Sequence, residues 1–188
     1  MLKPKLVLIG ASTGGPGHLE KILSSLDKDY KNTIIIAQHM DFIFLPSLVS
    51  RMNEKTNIET LLVEEHKSIK QNTITFTQKD LTRLNYSTSK GLYITNSTVD
   101  RPYLPNVNCL FETASKLCNH FDILACLLTG IGDDGANGLL ELHNAGAKCV
   151  GEDENSSIIY GMPKAALELN NKLTMLSLDD IIAKVQNF

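Results

Sequence analysis

Short apolar runs alternate with stretches of helical period along most of this chain. Leu6 to Ile9 and Thr33 to Ala37 predict strands, the second a continuous branched run suited to burial on both faces. Pro16 to Leu26 predicts a helix that tolerates Pro16 in its first turn, and Phe44 to Glu54 predicts another. Further on, Asn106 to His120 reads as a helix and Ile123 to Leu128 as a buried strand. Asp134 to Asn144 reads as a helix closed by Gly146, Lys148 to Val150 as a strand, and Ile158 to Leu169 and Asp179 to Val185 as the last helices. This alternation is the mark of βαβ units. The middle differs: Ile58 to Val63, Thr73 to Thr77, Leu81 to Tyr86 and Leu92 to Thr95 predict strands, the last two joined around Ser89-Lys90-Gly91 as a hairpin. The expected fold is α/β: a doubly wound, mainly parallel sheet flanked by helices, with an antiparallel β-hairpin insertion, forming one domain over residues 1–188.

Composition narrows the function classes. At 188 residues the chain supports one sizeable core and is short for two domains. A net charge of −3 leaves no basic face for phosphate backbones, so nucleic acid is not an expected partner. No apolar run is long enough to cross a bilayer, and Met1-Leu2-Lys3-Pro4-Lys5 leads straight into the first strand, so neither membrane insertion nor a targeting peptide is expected. The four cysteines form no CxxC pair, and Cys109, Cys126 and Cys149 sit among apolar neighbours. They read as reduced core residues in a cytoplasmic protein. The histidines lack the spacing of a metal site, and neither a metal nor a cofactor is implied.

In parallel sheets, ligands bind where strand ends feed into helices. Three loops at such ends carry reactive residues: Gly10-Ala11-Ser12-Thr13-Gly14-Gly15, Gln38-His39-Met40, and Thr129-Gly130-Ile131-Gly132-Asp133-Asp134-Gly135. Ser12 lies in a G-x-S-x-G arrangement that turns the chain sharply and exposes a hydroxyl, with the Thr13 N–H a natural donor to a developing oxyanion. The bland alternative is a tight turn or phosphate cradle with Ser12 as helix cap. A serine hydroxyl needs a base. Of the five histidines, His18, His66, His120 and His143 read as surface or capping residues, whereas His39 follows the second strand, beside the serine loop. Asp133 and Asp134 each qualify to orient an imidazole, and each could instead cap the helix that follows. The order Ser, His, Asp differs from that of α/β-hydrolases, chymotrypsin and subtilisin, so a triad here is a separate construction.

At these residues the chain resembles the catalytic domain of the chemotaxis protein-glutamate methylesterases, the CheB family. The segments Ile9 to Gly15, Gln38-His39-Met40, Leu128 to Ala136 and Tyr160-Gly161-Met162-Pro163 carry the resemblance and span the chain. It implies hydrolysis of glutamate γ-methyl esters on methyl-accepting chemotaxis receptors, with release of methanol, and often deamidation of receptor glutamines. It makes Ser12 the nucleophile, His39 the base and Asp134 its orienter, with Thr13 and Ile131 lining the oxyanion site. Ile131 stands where the family commonly has methionine, a change a backbone donor should tolerate. Family members usually carry an N-terminal receiver domain, which is not expected here because the first strand begins near Met1. The segments Ser68 to Asn72, Gln78-Lys79-Asp80 and Arg101 to Asn106 also depart from the family pattern.

Two other classes compete. A dinucleotide-binding reductase would use Gly10-x-x-x-Gly14 and a Tyr160-x-x-x-Lys164 pair. However, Pro16 occupies the place of a third glycine, Pro163 interrupts the pair, and the second strand ends without an acid for ribose. A non-catalytic module would keep the glycine loops as an anion or peptide site and leave His39 structural.

Overall fold

In β1 (Lys5–Ala11), Leu6 and Leu8 pack into one apolar cluster while Val7, Ile9 and Ala11 pack into another, and all five are fully buried. A strand buried on both faces must lie inside a sheet covered by helices on each side. The computed structural model, which describes residues 3–78, 81–97 and 103–188, has this arrangement. β2 (Thr33–Gln38) and β7 (Asp122–Leu127) flank β1, and both split their side chains between the same two clusters. With β3 (Thr60–Leu62), β4 (Ile74–Phe76), β8 (Lys148–Glu152) and β9 (Thr174–Leu176) they form a sheet of order β3-β4-β2-β1-β7-β8-β9, every pair parallel.

Residues of α1 (Gly15–Ser24), α2 (Leu45–Lys55) and α6 (Leu178–Gln186) join the cluster on one face. Those of α3 (Val107–Ser115), α4 (Ala136–Asn144), α5 (Met162–Leu169) and the antiparallel pair β5 (Leu81–Ser87) and β6 (Gly91–Ser97) join the other. Each fully buried Leu or Ile contributes about 1.5–3 kcal/mol. The chain leaves β1 toward β2 in one direction and later builds outward through β7 and β8 in the other. The carboxyl ends of β1 and β7 therefore form a switch-point crevice. Among the described residues, no helix is long and apolar enough to cross a membrane.

The expected fold class holds, and several boundaries move. The helix predicted from Ile158 begins only at Met162. Branched Ile158 and Ile159 stay outside it, and Pro163, which lacks an N–H, fits only in a first turn. The helix predicted to His120 ends at Ser115, where Thr113 and Ser115 hydroxyls bond back to carbonyls of the preceding turn. The helix predicted from Asp134 begins at Ala136. The edge strand β9 is three residues long, too short to show a period, and was not predicted. Met1 and Leu2, Lys79 and Asp80 of one departing segment, and Arg101 and Pro102 of another, lie outside the described residues.

Candidate active site

The last registered pair of β1 and β2 is Ala11 with Gln38, and the His39 N–H donates to the Ala11 carbonyl at 2.9 Å. Ser12 and His39 are thus the next residues off two adjacent parallel strands. Gln38 ties them together: its Nε2 amide donates to the Ser12 carbonyl at 2.9 Å and to the His39 carbonyl at 3.0 Å. Beyond Ser12 the chain turns at Gly14, whose φ of +86° favours glycine and where a Cβ would lie 2.7 Å from the Ile158 Cβ. The third loop closes on the serine from the β7 side. Thr129 accepts the Ser12 N–H at 3.0 Å, and a Cβ on Gly130 would fall 2.6 Å from the Ser12 Cβ.

His39 meets Asp134 directly, with Nε2 2.7 Å from Oδ2. An ionised carboxylate only accepts, so Nε2 carries the proton and Nδ1 is the lone-pair nitrogen of the neutral ring. Asp134 is 1% exposed. It also accepts the N–H groups of Val107 and Asn108 at 2.7 and 2.9 Å, the first two residues of α3. The carboxylate therefore sits on a helix N-terminus, where charge is favoured. The sequence expectation that Asp133 or Asp134 caps the following helix is corrected: α4 has Gly135 at its cap without a side-chain bond, and Asp134 serves α3 instead. Asp133 is exposed. This separates two acids that their residue chemistry alone left equivalent.

Tyr103 stacks on His39, ring centroids 5.3 Å apart and planes 8° from parallel, and its hydroxyl lies over Gly132. Thr13 and Ile131 are exposed at the rim. Among the described residues neither of their N–H groups has an acceptor, so both are open toward a ligand. The Ser12 hydroxyl likewise makes no hydrogen bond among the described residues. The structure thus unites His39 with Asp134 and sets Ser12 alongside, with the hydroxyl–imidazole bond not yet made. Such bonds often tighten only when substrate binds.

The reductase reading fails on the same loops. Tyr160 precedes α5 and bridges to Gly130, so it does not share a helical turn with Lys164. Burial first, then the carboxylates of Glu154, Asp153 and Glu168, holds its hydroxyl above the ordinary tyrosine range. That is the wrong direction for a proton donor. Among the described residues no group of three or more His, Cys, Asp or Glu is placed to hold a metal ion.

The CheB methylesterase family model matches residues 7–185. The chain belongs to the CheB methylesterase family. A protein-glutamate methylesterase/protein-glutamine glutaminase of Mesorhizobium japonicum is 32% identical over 181 residues, covering 96% of this chain and 53% of that relative. One of the same description from Bacillus subtilis is 30% identical over 184 residues, covering 96% and 51%. The chain spans about half the length of these curated relatives. The crystal structure of the Thermotoga maritima CheB methylesterase catalytic domain matches with a TM-score of 0.88 at 26% identity, over 99% of both chains.

Sequence reasoning missed two contacts of this CheB site and misread a third residue. Gln38 and Tyr103 carried no pattern that assigned them a role. His18, expected at the surface, is 5% exposed and pairs with Glu152. A signal existed: Gly15, His18, Leu19, Ile22 and Leu23 form one helical stripe, and that stripe is the buried face of α1.

Proposed function

We propose that this CheB-family chain hydrolyses glutamate γ-methyl esters on methyl-accepting chemotaxis receptors. Ser12 Oγ attacks the ester carbonyl while His39 Nδ1 accepts its proton, and Asp134 holds the imidazole and stabilises its charged form. The oxyanion falls to the N–H groups of Thr13 and Ile131. The proton then passes from His39 to the departing methoxide, releasing methanol and leaving an acyl-serine. Water, deprotonated by His39, frees the glutamate. A glutamine side chain enters the same sequence with ammonia as leaving group, in line with the double description of the relatives. A cytoplasmic setting goes with this reading and with four free cysteines.

The observation that carries the proposal is the 2.7 Å contact of His39 with a buried Asp134, formed one residue past the strand pair that sets Ser12 beside His39. Methanol release from methylated receptor tests it. Ser12→Ala is expected to lower kcat by at least about a thousandfold with an unchanged melting curve. Unchanged turnover in that variant rejects Ser12 as nucleophile.

A further inference from the structure

Behind the serine loop lies a second buried acid–imidazole pair that the reaction above does not use. Glu152, the last residue of β8, is 0% exposed. Its carboxylate accepts the Thr129 N–H at 2.9 Å and the Ser156 hydroxyl at 3.0 Å, and His18 Nδ1 lies 3.1 and 3.2 Å from its two oxygens. A buried carboxylate without partners would be costly, and here every contact is a donor.

Thr129 is where this pair meets the nucleophile. It is fully buried, and each of its polar groups is committed. The N–H goes to Glu152, and the carbonyl receives the Ser12 N–H at 3.0 Å. The hydroxyl donates to the Thr13 carbonyl at 2.9 Å and accepts the Ile159 N–H at 2.9 Å. One residue, Thr129, therefore separates the Glu152 carboxylate from the backbones of both Ser12 and Thr13, through its carbonyl and its hydroxyl. His18 stands on α1, the helix that the serine loop opens, so the pair clamps that loop from both the helix and the sheet.

We propose that Glu152 and His18 are positioning residues for the hydrolysis, holding Thr129 and through it the hydroxyl of Ser12 and the N–H of Thr13 in their working geometry. The inference rests on the reading of Ser12 as nucleophile. Small displacements of a reacting group can cost a hundredfold in rate, so a support one residue away has kinetic leverage. A merely structural pair would change melting temperature and the fraction of active molecules, and would leave turnover per active site alone.

The experiment measures kcat and KM for methanol release from methylated receptor, per Ser12 site counted with a fluorophosphonate, alongside thermal melting. Glu152→Ala and His18→Ala are each expected to lower kcat per site by roughly ten- to hundredfold with KM little changed. Glu152→Gln, whose amide oxygen still accepts the Thr129 N–H, is expected to recover most of the loss. Glu152→Asp withdraws the carboxylate by one methylene and carries the test if an alanine variant does not fold, again with lowered kcat. Wild-type kcat per site in the alanine or aspartate variants overturns the inference, as does a glutamine variant no better than alanine. Release that survives Ser12→Ala sinks the reading of Ser12 as nucleophile, on which the inference rests. Ser12-dependent release with wild-type kcat in the Glu152 and His18 variants sinks the positioning role alone.

Discussion

Asp134 is 1% exposed, and one imidazole and two helix-terminal amides face it. Those three donors fix both of its oxygens, and through Oδ2 they fix the His39 ring. The opposite constraint on the ring is Tyr103, stacked at 5.3 Å. Aromatic pairs contribute about 0.5–1.5 kcal/mol beyond area burial. If that energy keeps the imidazole in line, Tyr103→Ala is expected to lower kcat roughly two- to tenfold, while Tyr103→Phe keeps wild-type turnover. Methanol release at saturating receptor reads both, and an alanine variant with undiminished kcat shows that Asp134 and Gln38 suffice to hold His39.

Two of the helices at the site, α1 and α4, start from left-handed glycines, Gly14 at φ +86° and Gly135 at φ +94°. The sharp turn lets each helix begin directly behind its loop. At Gly14 the conformation combines with space: an added Cβ would meet Ile158 and the Thr129 methyl at 2.7 and 3.2 Å. Gly14→Ala is therefore expected to cost about 1–3 kcal/mol of stability and to slow fluorophosphonate labelling of Ser12. Thermal melting and labelling rate check the two parts separately. Gly17, on the same helix, has open space at its Cβ position, so Gly17→Ala is the control expected to leave labelling unchanged and to keep or slightly raise the melting temperature.

At the scale of the whole molecule, burial sets which thiols and phenols titrate. Burial pushes Cys126 and Cys149 from the ordinary 9.0 up to about 12, whereas Cys118 is only partly buried and raised less far by the same cause. Alkylation of the native protein at pH 8 is expected to modify Cys118 first and to spare Cys126 and Cys149, as peptide mapping would show. Tyr30 is likewise raised by burial from 10.0 to about 12. These groups keep protons in the folded chain that the unfolded chain releases, so folding binds protons between about 9 and 12. Their contribution to stability should therefore be level below pH 9 and be lost as pH rises above it, visible as a declining melting temperature.

Periodicity made the fold legible because a strand buried on both faces, such as Thr33 to Ala37, and an amphipathic stripe, such as that of α1, are written in consecutive residues. Glycines and a strand-end histidine likewise marked the three loops, since sharp turns restrict residue type locally. The sequence by itself determined the α/β layers, the order of the elements and the candidate trio Ser12, His39 and Asp134 or its neighbour. Tertiary structure shows how Asp134, the acid the resemblance points to, reaches His39. That placement rests on the first amides of α3, and α3 lies 26 residues before Asp134 in the chain. It alone decided that Tyr103 covers the imidazole and that His18 and Glu152, 134 residues apart, share a buried bond. Hydrogen bonds and ring contacts between distant segments leave no local period, because their geometry exists only after the sheet has brought the strand ends together.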